Sequence, residues 1–366
     1  PGMIRAFSVI DGALAWTFNS IPLEGQPGSE TWADGMLDDA GGANVWTGMA
    51  LDEARGLLFA PTGSATPDFY GADRIGDNLY ANSLLAIDAR TGELKWHYQV
   101  VKHDLWDRDN PSPPTLVRLE RDGEVVDAVT LTTKSGHLYV FERETGKSLH
   151  PIVEVDTPLP SSLPGEAPSN KQYLSSIAFS RQSFEITQRN AEATAYVKDK
   201  IKDWDLRPWA PPKVGTVLIT PWYDGGAEWG GSAFDPSNNR LILNANDESG
   251  ILELSEVPSG FSGYGVYMTY CGACHGKQLE GTDQGPALIS IADRLEIKEI
   301  VNVVKEGKGR MPAFASLDTP EFRGVLGYIL SPEPKADQPT EGVSYALGGY
   351  VYFKDNEGLP ANSPPW

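Results

Sequence analysis

Apolar and polar positions along most of the chain follow the two-residue period of strands, broken by short turns. Leu84 to Ile87 alternate small and apolar residues, Asp88-Ala89-Arg90-Thr91-Gly92 supplies turn chemistry, and Leu94 to Val100 resumes as an aromatic-rich strand. The pattern predicts strands at Trp46–Ala50 and Leu57–Pro61 around Asp52-Glu53-Ala54-Arg55-Gly56. It predicts two more at Val125–Thr132 and His137–Phe141 around Thr133-Lys134-Ser135-Gly136, and others at Val214–Thr220, Ser232–Phe234 and Arg240–Asn244. Residues 151–212, rich in proline and polar groups, read as a long surface excursion with a short helix near Glu185–Lys200. Helical segments are expected around Gly265–Tyr270, Lys298–Lys305 and Pro320–Leu330. Strand pattern returns over Gly342–Phe353.

The strands repeat. Ala6-Phe7-Ser8-Val9-Ile10-Asp11-Gly12-Ala13-Leu14-Ala15-Trp16 matches Ala86-Ile87-Asp88-Ala89-Arg90-Thr91-Gly92-Glu93-Leu94-Lys95-Trp96. A third copy, Val140 to Gly146, keeps the turn and has His150 where the tryptophan would fall. Two outer strands joined by such a turn, with a tryptophan filling the gap to the next unit, are what a propeller blade needs. Trp16 and Trp96 are therefore read as packing residues between blades.

Composition narrows the class. Among 366 residues, Gly 38, Pro 28 and Trp 10 predict many turns and few long helices. The 30 basic residues stand against 50 acidic ones, a net charge of −20, which argues against nucleic acid or an anionic membrane as partner. No run of about 18 apolar residues exists, so no membrane span is predicted. The chain opens inside a strand pattern and stops at Pro364-Pro365-Trp366, so both ends read as cut and no targeting segment is informative.

Two stretches carry candidate chemistry. His103-Asp104-Leu105-Trp106-Asp107-Arg108-Asp109 crowds three carboxylates, a histidine and a tryptophan into a segment without strand alternation. Such carboxylates repel unless a cation or a site cavity holds them; the plainer reading is a polar loop with a docking tryptophan. Cys271-Gly272-Ala273-Cys274-His275 holds the only two cysteines, in the C-x-x-C-H pattern of haem attachment. Two thiols at that spacing reach the two vinyl groups of one porphyrin, and the adjacent histidine falls under the iron. A redox C-x-x-C and half a zinc site are the alternatives, and zinc would want two more ligands nearby. Met311, in Gly307-Lys308-Gly309-Arg310-Met311-Pro312, lies 36 residues after His275 and offers a thioether as second axial ligand. The Gly285-Pro286 loop is placed to buttress the histidine.

Taken together, the motifs resemble those of the quinoprotein dehydrogenases, eight-bladed propellers that bind pyrroloquinoline quinone (PQQ), and in particular the branch of membrane-type glucose dehydrogenase. The match rests on Ala86–Trp96, the His103–Asp107 segment, the Thr133–Gly136 turn, and Gly41-Gly42-Ala43-Asn44-Val45-Trp46 followed by Pro61-Thr62-Gly63. The resemblance implies a mainly β fold, an incomplete propeller over 1–256 that lacks N-terminal blades. An inserted all-α class I cytochrome c domain follows over 257–335, and 336–366 return to the propeller.

The resemblance also implies roles. Asp107 matches the catalytic base that takes the hydroxyl proton of an alcohol or sugar, Trp46 the tryptophan beneath the PQQ ring, and Lys134 the cation at the quinone oxygens. Glu228-Trp229 fall near a PQQ-contacting position usually held by asparagine. Where relatives place an asparagine that binds calcium, this chain has Ser64, a shorter and weaker ligand, which would hold calcium together with residues from the missing blades. Cys271 and Cys274 would hold haem c, with His275 and Met311 on its iron. The implied protein is periplasmic and passes electrons from PQQ through its own haem to an external acceptor, a cytochrome or a quinone and oxidase chain. A non-catalytic propeller scaffold, or a plain electron carrier, fused to a cytochrome is the competing reading.

Overall fold

The computed structural model describes residues 2–37, 40–157, 160–258, 263–315, 317, 319–332 and 343–363. Phe261, Ser262, the expected domain limit at 335/336 and Gly342 lie outside the described residues. The chain divides into two compact units. One comprises Pro1–Pro212, Leu218–Gly250 and Tyr352–Trp366; the other comprises Lys213–Val217 and Ile251–Val351.

The first unit is built of antiparallel sheets. Ala50–Asp52, Leu57–Pro61, Ser83–Asp88 and Leu94–Gln99 pair in that order as a four-stranded meander, the expected blade. Thr115–Arg121, Glu124–Thr132 and Leu138–Glu142 form a three-stranded sheet, and Met3–Phe7 pairs with Leu14–Asn19. The sequence repeat is a structural repeat down to its irregularity. The register shifts between Ala6 and Phe7 in one copy and between Ala86 and Ile87 in the next.

The tryptophans join the copies. Trp16 Nε1 donates to Ala89 O at 3.0 Å, and Trp96 Nε1 donates to Arg143 O at 2.9 Å. Each indole lies on the turn glycine of the next copy: a Cβ on Gly92 would come within 2.8 Å of the Trp16 ring, and one on Gly146 within 2.6 Å of Trp96. Both glycines also have positive φ, +78° and +68°, so the turn needs glycine for two reasons. Trp96 further bridges Phe59 and Phe141, each 5.8 Å away, across a core of Leu84, Ala86, Leu105, Val129, Leu131 and Tyr139. Arg55 ties neighbouring turns together through Asp52, Asp127 and Glu144.

Two expectations change. The strand expected at Trp46–Ala50 begins only at Ala50, and Trp46 remains 42% exposed. Gly48, packed against Pro113, interrupts the pattern. The 151–212 stretch is more ordered than a surface excursion. Ile152–Asp156 pairs with Lys171–Ser175, Leu163 and Leu174 are buried, and helix α1 (Ala191–Ile201) is capped by Asn190, whose side chain accepts from Ala193 N at 2.8 Å.

The second unit is mostly helical, with a sheet in the order Gly215–Ile219, Gly250–Pro258, Val343–Tyr352. Its helices are α2 (Gly263–Tyr270), α3 (Gly272–His275), α4 (Ile297–Glu306) and α5 (Thr319–Leu330), close to the expected segments. Helix α4 opens with a reciprocal Glu296–Glu299 capping box, turns Ile300 and Val304 inward, and ends at Gly307 with φ +75°. Ile300 joins a core made with Val266, Tyr267, Met268, Cys271, Leu279, Val325 and Ile329.

Candidate active site and haem pocket

The 103–109 loop begins with two buried groups, His103 and Asp104. Asp104 organises it. Its Oδ1 accepts from Trp106 N at 2.9 Å, and its Oδ2 accepts from Arg108 N at 2.6 Å, Asn82 Nδ2 at 2.9 Å and the Ser64 hydroxyl. A carboxylate with about four acceptor sites is thereby saturated, so Asp104 shapes the loop. Trp106 Nε1 donates to Ala210 O at 2.8 Å, and its ring meets Trp209 edge-on at 5.0 Å. The tryptophan thus docks, as the plainer reading held, while the carboxylates gather around a cation.

That cation is Lys134, on the turn between Glu124–Thr132 and Leu138–Glu142. Its Nζ donates to Asp107 Oδ2 at 3.2 Å and Asp109 Oδ2 at 3.3 Å, and lies 5.9 Å from the centre of the Trp46 ring. Gly225 permits this approach, since a Cβ there would be 2.6 Å from Lys134 Cγ. Gly63 does the same beside Trp46, where a Cβ would be 3.2 Å from Nε1. Asp107, Lys134 and Trp46, separated by up to 88 positions, therefore meet in one place.

An ordinary aspartate is ionised at neutral pH, but burial pushes the Asp107 carboxyl well above the usual carboxylate range; Lys134 opposes this, while Asp109, Asp68 and Asp104 add to it. Burial disfavours the Lys134 ammonium, yet Asp107 and Asp109 overcome it and its pKa is raised. Asp68, which sequence reasoning missed, is raised to about 7 by burial and by Asp104 and Asp109. Its local sequence, Thr66-Pro67-Asp68-Phe69, reads only as a turn.

The remaining residues divide. Glu228 lies in the field of Lys134, and burial raises its pKa. Trp229 is 73% exposed. Ser64 donates its hydroxyl to Asp104 and accepts from Asn82 at 3.1 Å, while its N–H donates to Asp109. Its oxygen would reach calcium only by giving up these partners. Among the described residues no group of three or more His, Cys, Asp or Glu is arranged to hold a metal ion. PQQ is better suited: a partly exposed indole face, an adjacent ammonium and two glycine-lined approaches match a flat, acidic ring.

In the helical unit, Cys271, Cys274 and His275 fall on one turn. His275 N donates to Cys271 O at 2.9 Å and Cys274 N to the same carbonyl at 3.1 Å. Both thiols are free, and burial, then Cys274, push the Cys271 thiol up to about 12. His275 is buried, and its Nδ1 donates to Pro286 O at 2.7 Å, which leaves the Nε2 lone pair available. The Gly285-Pro286 loop buttresses the ring as expected; a Cβ on Gly285 would stand 3.1 Å from His275 Cε1. Met311 is half-buried in a turn closed by paired bonds with Lys308, each 3.1 Å. Two free thiols, an oriented imidazole and a thioether outside the apolar core suit a covalent haem.

Known proteins match both regions of the chain. The family model for PQQ glucose/ethanol/alcohol dehydrogenase β-propeller domains matches residues 1–262, and that for cbb3-type cytochrome c oxidase subunit III matches residues 260–329. Quinoprotein glucose dehydrogenase A of Acinetobacter calcoaceticus is 31% identical over 260 residues, covering 66% of this chain and 31% of that protein. Quinate/shikimate dehydrogenase (quinone) of Acinetobacter baylyi is 34% identical over 266 residues, covering 66% and 30%. Quinohemoprotein alcohol dehydrogenase ADH IIB of Pseudomonas putida is 36% identical over 160 residues, covering 40% and 23%. The chain spans about a third of the length of the first curated relatives it matches. No helix among the described residues is long and apolar enough to cross a membrane.

Proposed function

Because this chain belongs to the PQQ glucose/ethanol/alcohol dehydrogenase β-propeller family, we propose that it oxidises the CH–OH group of a small alcohol, sugar or hydroxy acid. The supporting observation is the placement of Lys134 Nζ between Asp107 and Asp109, beside the face of Trp46. PQQ, when bound, accepts the hydride equivalent from the carbinol carbon. Asp107 takes the hydroxyl proton on its carboxylate. Lys134 holds that carboxylate in place and presents positive charge toward the ring oxygens. Trp46 provides the stacking face, and Glu228 with Trp229 lines the same neighbourhood. The Ser64 hydroxyl is already engaged by Asp104 and Asn82 and takes no part in this chemistry.

Cys271 and Cys274 would attach haem c, and His275 and Met311 would bind its iron, so that electrons leave through the haem to an external cytochrome or quinone and oxidase chain. Covalent attachment of this type takes place outside the bacterial cytoplasm, which makes the proposed location periplasmic. The test is full-length protein loaded with PQQ and assayed by dye reduction with ethanol, glycerol, D-glucose and quinate. Turnover of one or more supports the reading. Haem reduction by an added reductant, with none of the substrates oxidised, would replace the enzyme with an electron carrier or scaffold.

A further inference from the structure

We propose that Glu166, from the 151–212 stretch, is a positioning residue for the base: its carboxylate locks His103 and thereby the backbone that presents Asp107 to Lys134. The inference rests on the reading of Asp107 given above. Its physical basis is the conformation of the loop. His103 has φ +45° and Asp107 φ +55°, both in the left-handed region that side chains other than glycine rarely adopt. Two such residues four positions apart persist only where surrounding contacts over-determine them.

The contacts are specific. His103 Nε2 meets Glu166 Oε1 at 2.7 Å, and its Nδ1 meets Gly76 O at 2.9 Å. A carbonyl accepts only, so Nδ1 carries a hydrogen. Glu166 also accepts from Gly71 N at 2.5 Å and Ala167 N at 2.9 Å; burial disfavours its charged form, yet the bonds with His103 and Gly71 N lower its pKa. Both side chains are almost fully buried, at 1% and 0% exposure. The ring is therefore held on two sides, between a carboxylate 63 positions away and a carbonyl 27 positions back. Arg74 completes the frame: it donates to Asp104 O at 2.5 Å and to Pro67 O, next to Asp68. At the other end of the same stretch, Ala210 and Trp209 hold Trp106. The stretch thus grips the base-bearing loop at His103 and Trp106, on either side of Asp104, with Asp107 just beyond.

Loss of the Glu166 anchor frees the start of the loop and lets Asp107 drift from Lys134. Lys134 is the group that lowers the Asp107 pKa, against Asp109, Asp68 and Asp104, which raise it; Arg108, the neighbouring residue, also feels the Asp107 charge. A displaced Asp107 therefore needs a higher pH to ionise. A purely structural role for Glu166 would lower stability without moving that limb.

The test uses the full-length protein as Glu166→Ala and, as the milder change, Glu166→Gln. Amide hydrogen exchange, measured without PQQ or substrate, should quicken roughly tenfold or more across 103–109 while Ser83–Asp88 is unchanged. In the PQQ-loaded enzyme, with whichever of ethanol, glycerol, D-glucose or quinate the wild type oxidises best, kcat should fall roughly tenfold to a hundredfold with KM little altered. The acid limb of its pH profile should move upward. Unchanged exchange in 103–109 overturns the inference, as does exchange that quickens equally in Ser83–Asp88. Full activity of Asp107→Asn would instead overturn the reading of Asp107, whatever Glu166 does to exchange.

Discussion

The two candidate sites are assembled in opposite ways. The candidate haem-attachment residues Cys271, Cys274 and His275 fall within five consecutive positions, the carbonyl that orients the histidine comes eleven positions later, and only Met311 is brought in from further along the chain. Trp46, Asp107, Lys134 and Glu228 come from separate turns of the β unit and meet only when the sheets are packed. The first arrangement is nearly a property of the peptide. The second is a property of the fold, and depends on glycines, buried polar bonds and strained backbone brought together from separate turns. Charge separates the regions too. Residues 263–332 carry 7 basic and 8 acidic side chains, which leaves 23 against 42 for the rest of the chain. The chain's net acidity thus belongs to the residues outside 263–332. An acceptor docking at the haem would meet an almost neutral surface.

The largest expected effect tests whether the haem site is as local as it looks. Cys271→Ala combined with Cys274→Ala should abolish covalent haem, read as loss of haem staining on a denaturing gel. Dye reduction at the PQQ site should survive. Loss of both activities would mean that the helical unit supports the β unit in ways this comparison misses. On the other side, Asp107→Asn should cut turnover roughly a hundredfold or more while leaving the haem spectrum intact. Asp104→Asn should act differently. With four donors aimed at that carboxylate, the amide must place an N–H against one of them, so thermal stability should drop, with activity falling only as the loop loosens. Equal kinetic loss in both variants, at equal stability, would remove the distinction between the two aspartates. Since burial raises the Asp107 pKa, wild-type kcat should be lost as pH falls through a value above the ordinary carboxylate range. An acid limb near 4 would contradict the buried placement.

The same contrast explains what could be read in advance. Helices α2, α4 and α5 and the Pro286–His275 bond followed from local pattern, because helix period, caps and the C-x-x-C-H spacing are all short-range signals. The blade repeat was equally visible, since its turn and tryptophan recur at fixed spacing. Lys134 and Asp107 were identified through family resemblance, and nothing in their local sequence announces that they touch. Asp68, Asn82, Arg74 and Glu166 gave no signal at all. Each sits in turn-like sequence, and its importance comes from partners distant in the chain: Asp104 for Asp68, Asn82 and Arg74, and His103 for Glu166. The pairing of Ile152–Asp156 with Lys171–Ser175 was hidden by the prolines and polar residues between them.

Between those extremes lies the blade contact, where local motif and long-range packing coincide. Trp96→Ala should destabilise the β unit by about 3–5 kcal/mol, the usual cost of deleting a large packed aromatic. Gly146→Ala should cost less, about 1–3 kcal/mol, from a strained φ of +68° and a Cβ set against the Trp96 ring. Urea denaturation followed by near-ultraviolet circular dichroism reads both. An undisturbed Gly146→Ala would mean that the turn relaxes and the indole does not fix the blade.

The smallest effect concerns Asp68, and it isolates the electrostatic cost of the crowded site. Its folded pKa of about 7 lies above the value of 3.8 it has when free. The folded state therefore holds a proton that the unfolded state releases between those values. Stability falls as pH rises across that window, and above about pH 7 the full cost of a buried negative charge remains. Asp68→Asn keeps the shape and removes the charge. It should leave the melting temperature almost unchanged near pH 4 and raise it at pH 8, by roughly 2 to 4 °C. Bound cations or a bound PQQ would alter the field, so the comparison belongs in protein stripped of both. An Asp68→Asn variant less stable than wild type at pH 8 would show that the ionised carboxylate is wanted there, paired with Arg74 or Lys134. The acidic cluster would then be a balanced network and not a strained one.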